Sequence, residues 1–301
     1  MSVFLSDIAY TIGERRPIAD IEPIAAEPTL LDALHSVGLS HYRHSTEPPI
    51  RMAATCIQQT LEQTDTPRSD IDVIMLASST LEFGRFESTE LLQLSERFGL
   101  TNATPIGVSA AECANFGTAL HLARLLVSTG EARNVLLVTT DYCDVPQKRL
   151  LPQVFSVVSD GAASCLITAE PARIEVLAST TSTNQLIRAA SDPNVIAALT
   201  RRAITEAVDD ILSRATIERS QVRQVITNNL NDQALRVITV AAGFDHDLCY
   251  AENVADLAHV HSSDNLINLQ SWLDDGVAPD QIVLTISHAF GTWAPALLHI
   301  Q

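Results

Sequence analysis

Residues 106–120 read Ile-Gly-Val-Ser-Ala-Ala-Glu-Cys-Ala-Asn-Phe-Gly-Thr-Ala-Leu, which places Cys113 between a short apolar strand and a long apolar helix. The next residues, 120–128, are apolar on almost every side and lead to Gly130, a pattern that predicts a buried helix. The positive end of a helix dipole lowers the pKa of a thiol at the helix start from about 8.5 toward neutrality. Cys113 is therefore either a nucleophile or a buried structural thiol, which is the usual role of a free cysteine.

The composition restricts the class of protein. The chain has 301 residues, of which 46% are hydrophobic, enough for a large core in one double-sized domain or two tightly joined ones. A net charge of −17 argues against nucleic-acid and anionic membrane partners, because phosphates require basic surfaces. The first residues lack the features of a signal peptide, and no apolar run is long enough to span a bilayer. We therefore expect a cytoplasmic protein without a nucleic-acid or membrane partner.

The cysteines do not form a recognisable set. They are odd in number, scattered and without a CxxC pair, at Cys56, Cys113, Cys143, Cys165 and Cys249. This spacing predicts neither a disulfide framework nor a metal site.

The two halves of the chain repeat one pattern of elements. Each half contains a helix, two buried strands and a last apolar strand, at 51–63, 71–77, 134–140 and 163–168 in the first and at 203–213, 222–227, 281–286 and 294–300 in the second. Continuous β-branched runs that alternate with helices are typical of sheets covered on both faces. We therefore predict a duplicated α/β fold with halves at 1–170 and 171–301. Residues 4–49 read as an irregular segment of the kind that covers an active-site mouth.

Several short motifs, each weak alone, occur in an order and spacing that resemble the thiolase superfamily over nearly the whole chain, and within it the β-ketoacyl-acyl carrier protein synthase III branch. They include Ala111–Phe116, Ser128-Thr129-Gly130, Ser159-Asp160-Gly161-Ala162-Ala163 and His288-Ala289-Phe290-Gly291-Thr292-Trp293. The resemblance implies a five-layered αβαβα thiolase fold, a homodimer joined edge to edge through its sheets, and Cys113 as the acyl-accepting nucleophile. It also implies no bound cofactor, with a coenzyme A or acyl carrier protein thioester as substrate.

The chain departs from this family at two positions. The synthase histidine of a His-Gln-Ala-Asn run is replaced by Asn228 or Asn229, and the later asparagine of a His-Gly-Asn run falls near His261. The two side chains therefore look exchanged, an arrangement similar to that of the thiolases. The second cysteine of the thiolases is missing near Ala289.

This exchange favours acyl transfer over condensation. His261 would act as general base on the nucleophile that attacks the Cys113 thioester, and Asp264 would reach back to orient its imidazole. Three alternatives remain open: His259 as the working histidine, Asp264 as a simple helix cap for a helix at 265–274, and Asn231 as the asparagine that faces the site.

Two further residues receive a role from the same resemblance, and Glu112, at a position where the family has a small residue, receives one from its place beside Cys113. The backbone N–H groups of Cys113 and of the turn at Gly291 would form the oxyanion hole. Phe86 would cross the dimer interface to line the acyl pocket, or else belong to the core. Glu112 would contact the dimer partner or the substrate passage.

The predicted function is acyl transfer through a Cys113 thioester to a hydroxyl or amine of a small molecule, as in secondary metabolism. The acidic surface favours coenzyme A over an acidic carrier protein as donor. The alternatives are a carbon–carbon condensing ketosynthase and a catalytically silent partner of an active paralogue.

Overall fold

The computed structural model describes residues 1–79 and 88–301, so the prediction for Phe86 lies outside the described residues. Within them the strands are β1 (Phe4–Ile12), β2 (Glu14–Pro17), β3 (His41–His44), β4 (Val73–Ala77), β5 (Thr104–Val108), β6 (Asn134–Asp141), β7 (Gly161–Thr168), β8 (Ile174–Ser179), β9 (Ser182–Thr183), β10 (Val222–Thr227), β11 (Gln281–Ala289) and β12 (Thr292–Ile300). The α-helices are α1 (Glu22–Ala25), α2 (Pro28–Ser36), α3 (Pro49–Gln63), α4 (Ser88–Arg97), α5 (Asn115–Thr129), α6 (Gln185–Ala189), α7 (Pro193–Ala215), α8 (Asp232–Ala241), α9 (Val254–Leu257) and α10 (Asp264–Asp274).

The two halves of the chain build the same strand pairing. In the first half β4 runs parallel to β6, β6 pairs antiparallel with β7, and β7 pairs antiparallel with β1. In the second half β10 runs parallel to β11, β11 pairs antiparallel with β12, and β12 pairs antiparallel with β8. The pairing of β1 with β8 joins the halves into one hydrogen-bonded sheet with the strand order β10-β11-β12-β8-β1-β7-β6-β4-β5. The predicted duplicated α/β fold is confirmed; the boundary at 170/171 falls between β7 and β8 and stays a prediction.

The helices form the remaining layers. α5 and α10 lie between the two halves of the sheet and contact strands of both, with Phe116 and Leu266 fully buried there. α3 covers the other face of the first half through Ile57. α7 and α8 cover the second half through residues such as Ile211 and Leu235. Burial of both sheet faces explains the continuous apolar runs in the strands, and the order of layers is αβαβα.

The expectation of an irregular segment over residues 4–49 is wrong. β1 is a central strand that pairs with both β7 and β8. A bulge between Ser6 and Ala9 shifts its register, so that apolar and polar residues come in pairs instead of alternating. A pattern search for period two therefore does not detect the strand.

The site region lies where the parallel strands end. β5 leads into the turn that carries Cys113, and β10 leads directly to Asn228. Side chains from both halves meet at this edge, as is usual for ligand sites of α/β sheets. In the described part of the chain no helix combines the length and apolar character needed to cross a membrane.

Candidate active site

Cys113 lies in a tight turn at the start of the central helix α5. The 3-10 helix Glu112–Ala114 precedes α5, and the Asn115 side chain accepts a hydrogen bond of 3.0 Å from the Ala111 N–H across the turn. Glu112, immediately before the cysteine, has a φ of 50°, in the left-handed region that costs a residue with a side chain about 1–2 kcal/mol. The turn leaves the cysteine side chain partly exposed at the helix N-terminus.

Two imidazoles face the sulfur of Cys113. His259 Nε2 lies 3.1 Å from Sγ, and His261 Nδ1 lies 3.6 Å from it. His259 is the more firmly placed, because its backbone N–H donates to the Val157 carbonyl at 2.9 Å and its own carbonyl accepts from the Ser159 N–H at 2.8 Å. The two rings are 5.1 Å apart. His259, which the sequence left as an alternative, is therefore the closer partner of the thiol.

Asp264 completes a chain of three groups, but through His259. Its fully buried carboxylate lies 2.5 Å from His259 Nδ1 and accepts hydrogen bonds from the backbone N–H groups of Asn229 (2.8 Å) and Val260 (2.7 Å). The predicted contact with His261 is wrong. Asp264 is the first residue of α10, and side chains there lean toward the helix N-terminus, which carries the carboxylate back over residues 259–260.

The surroundings of Cys113 make its thiol more acidic. Burial alone would raise its pKa, but the charge and hydrogen bond of His259, with a smaller contribution from His261, lower it to about 7. The other four cysteines, all in the described part of the chain, have pKa values raised by burial, to about 12 for Cys56. Burial opposes the charging of His259 too, yet the Cys113 sulfur and the Asp264 carboxylate raise its pKa well above the usual value. This combination favours a thiolate–imidazolium pair near neutral pH.

Alkylation of Cys113 by iodoacetamide should therefore depend on pH with a midpoint near 7, well below that of an ordinary thiol. The rate should rise with pH through this midpoint, because only the thiolate reacts. Mass mapping of the labelled cysteine gives the profile. Cys143, a partly exposed thiol whose pKa is raised, is the internal control and should react only at higher pH. Equal profiles for the two residues would contradict the ion pair.

The three asparagines after β10 have different places. Asn228 Nδ2 donates to the carbonyls of Cys113 (3.3 Å) and His261 (3.4 Å), and its Oδ1 accepts from the His288 backbone N–H at 2.9 Å. The Asn229 side chain instead accepts a hydrogen bond from Asn268 of α10. Asn231 is the N-cap of α8. Asn228 is therefore the asparagine that braces the site, while the backbone of Asn229 holds Asp264.

The remaining predicted residues lie around the same centre. Glu112 accepts a hydrogen bond of 2.7 Å from Arg188 and lines a groove of about 630 Å³ that also reaches β5. Gly291 has a φ of 85° and its carbonyl accepts from the Asn184 N–H, while a Cβ at this position would lie 3.1 Å from the Asn184 oxygen. The turn thus requires glycine. The role of Gly291 in the oxyanion hole stays a prediction. The contact of Glu112 with a partner or substrate also stays a prediction.

His288 was not assigned a role from the sequence. Its Nε2 is buried and has no hydrogen-bond partner among the described residues. Burial first, and then the charge of His259, lower the pKa of this imidazole to about 3. It is therefore a neutral imidazole close to the charged pair. The only sequence signal was its place directly before the Ala-Phe-Gly turn.

Comparison with known proteins agrees with this architecture. The family model described as 3-oxoacyl-[acyl-carrier-protein (ACP)] synthase III matches residues 109–185, which include the cysteine turn and α5. The chain is 27% identical over 118 residues to a β-ketoacyl-[acyl-carrier-protein] synthase III of Phocaeicola vulgatus, covering 39% of this chain and 34% of that protein. With the enzyme of the same name from Thiobacillus denitrificans it shares 24% identity over 272 residues, 82% of each chain.

A solved structure gives the same result for the fold. The protein described as "ChlB3 [Aceyltransferase]" superimposes with a TM-score of 0.86 over 100% of this chain and 98% of that one, at 17% sequence identity. The first curated relatives are matched over only about a third of their own length, 34% in the case of the Phocaeicola vulgatus protein. The agreement therefore covers the fold and the region around Cys113.

Proposed function

Because this chain is an enzyme of the thiolase superfamily, similar to 3-oxoacyl-[acyl-carrier-protein] synthase III, we propose that it transfers an acyl group through a Cys113 thioester to a hydroxyl or amine of a small molecule. The observation that carries the proposal is the chain of contacts from the Cys113 sulfur through His259 to Asp264. A nucleophile, a base and a group that orients the base are the parts that acyl transfer requires.

The first half-reaction loads the enzyme. The Cys113 thiolate attacks the carbonyl carbon of the donor thioester, and the new carbon–sulfur bond gives a tetrahedral oxyanion. When this collapses, the carbon–sulfur bond to the donor breaks and the donor thiolate takes the proton from His259. His259 is then neutral, with Nε2 free to accept a proton while Asp264 still holds Nδ1.

The second half-reaction delivers the acyl group. Nε2 of His259 removes the proton of the hydroxyl or amine as its oxygen or nitrogen attacks the Cys113 thioester. The cysteine sulfur leaves as a thiolate, and the thiolate–imidazolium pair forms again. The buried Asp264 carboxylate favours the imidazolium in this step and keeps the same ring nitrogen facing the sulfur.

The asparagine supports transfer over decarboxylative condensation, the second candidate. Condensation requires two polar donors aimed at the substrate carbonyl while carbon dioxide leaves. Here Asn228 donates to two backbone carbonyls instead. The lowered pKa of Cys113 also weighs against a silent partner, because a silent chain has no need of a reactive thiol.

The donor and the assembly are part of the proposal. The net charge of −17 favours coenzyme A over an acidic carrier protein. β5 lies at the end of the strand order and lines the Glu112 groove, so pairing of β5 with a second copy would place a homodimer partner beside the site.

Intact-protein mass after exposure to a panel of acyl-coenzyme A thioesters tests this function. We expect a single acyl adduct that is absent in Cys113→Ala and retained in Cys143→Ala. Addition of small amines or alcohols should then discharge the adduct and release the corresponding amide or ester. Discharge only by malonyl-coenzyme A, with release of carbon dioxide, would establish condensation in place of transfer. No adduct from any coenzyme A or carrier-protein thioester would contradict an acyl-enzyme altogether.

A further inference from the structure

The site contains one more metal-binding side chain than acyl transfer requires. A thiol sulfur and two imidazole nitrogens, from Cys113, His259 and His261, lie within 4.8 Å of one another. In a tetrahedral zinc site, bonds of about 2.3 Å to sulfur and about 2.0–2.1 Å to nitrogen set the sulfur–nitrogen separation at about 3.5 Å. The two observed separations are 3.1 and 3.6 Å. Both imidazole nitrogens are therefore already near the distance from the sulfur that a shared ion requires.

The carboxylate behind His259 fits a metal site as well. Histidines that bind zinc usually donate their other ring N–H to a carboxylate, which fixes the tautomer and strengthens the metal bond. His259 has this arrangement, with Nε2 toward the sulfur and Nδ1 on Asp264. One thiolate and two imidazoles select zinc and similar soft ions over magnesium or calcium.

We propose that Cys113, His259 and His261 bind one zinc ion, which reversibly closes the active site. A water molecule would occupy the fourth position, on the side where Cys113 and His261 are partly exposed. On binding, the sulfur, His259 Nε2 and His261 Nδ1 each donate a lone pair to the ion, and the proton held between the sulfur and Nε2 leaves to solvent. This proposal differs from the sequence-based expectation of no metal site, because Cys113 and the histidine pair are almost 150 positions apart in the chain.

The consequence for the enzyme rests on the proposed function, whereas the binding itself does not. Zinc would occupy the lone pair of the Cys113 sulfur, with which the thiolate attacks the donor. It would also occupy His259 Nε2, the nitrogen that serves as the base. Zinc should therefore inhibit acylation of Cys113, and a chelator should restore it.

Titration of the metal-free chain with Co²⁺, followed by displacement with Zn²⁺, tests the binding without any acyl donor. We expect one Co²⁺ per chain, with the charge-transfer absorption of a cobalt–thiolate bond. The absorption should be absent in Cys113→Ala and unchanged in Cys143→Ala. His261→Asn, which introduces the residue of the synthase family, should weaken binding at least tenfold. Asp264→Asn should weaken it about 10–100-fold.

Protection of the unmodified chain provides a second test that does not depend on how the variants fold. Zn²⁺ should slow iodoacetamide labelling of Cys113 at least tenfold and leave Cys143 unaffected. The proposal would be overturned if the native chain lacked the absorption or if Cys113→Ala retained it. It would also be overturned if a folded His261→Asn variant bound the ion with equal affinity, or if zinc failed to protect Cys113. A chain that binds cobalt but accepts no acyl group would retain the metal site and refute the proposed function.

Discussion

Replacement of His259 by asparagine is expected to slow acyl transfer by about 10²- to 10⁴-fold, the usual contribution of a positioned general base. Asparagine can still present an N–H to Asp264, but it has no basic nitrogen at 3.1 Å from the Cys113 sulfur. The pKa of the thiol should rise, because the charge and hydrogen bond of His259 are the main causes that lower it. Quenched single-turnover assays that start from the acyl-enzyme would measure the transfer step separately from loading.

His261→Asn is the matched control for this prediction. His261 lies 3.6 Å from the sulfur, and the contacts of the Asp264 carboxylate go to His259. We therefore expect the loss in this variant to be at least tenfold smaller than in His259→Asn. A larger loss of transfer rate in His261→Asn than in His259→Asn would identify His261 as the base, as the sequence predicts, and His259 as a structural contact.

Much of the fold could be predicted from the sequence because burial leaves a clear pattern in the strands. β10 was predicted at its observed bounds, and the strand predicted at 134–140 is β6. α7 was predicted only over 203–213, although it begins at Pro193. Its first turns are largely exposed and direct only Ile196 and Leu199 toward the core, so the Asp192 cap and the proline are the clearest marks of its start.

The residue types of the site could be predicted from the sequence, but not which of the two histidines contacts Asp264. Cys113 was expected at a helix start, and an asparagine and a histidine were expected opposite it, as observed. The choice between the two histidines depends on the turn at 258–261, where Ala258 and His261 have φ values of 49° and 47°. Alanine gives no sign of a positive φ, and histidine, although enriched there, more often has a negative one. The sequence therefore could not indicate that Asp264 would face His259.

Replacement of Asp264 by asparagine is expected to slow transfer by up to about 10⁴-fold, because the amide cannot hold the tautomer and charge of His259 as the carboxylate does. The change should also lower the free energy of unfolding by about 1–3 kcal/mol. Both oxygens of this fully buried carboxylate accept hydrogen bonds from the backbone, so the new NH₂ group faces a donor in either orientation. Urea unfolding and single-turnover transfer would measure the two effects separately.

A control carboxylate distinguishes catalysis from folding in this experiment. Asp141 is also buried and accepts hydrogen bonds from the backbone N–H groups of Ser79 and Ser262. Asp141→Asn should lose stability on a similar scale, while the midpoint of Cys113 alkylation should move less than in Asp264→Asn, because Asp141 acts on the sulfur only through His261, whose pKa it raises. In Asp264→Asn the midpoint should rise, since the carboxylate is one of the groups that raise the pKa of His259. The two variants could instead lose equal stability and equal activity, with the midpoint of Cys113 alkylation unchanged in both. Asp264 would then be a structural cap of α10, and the base would act without a carboxylate partner.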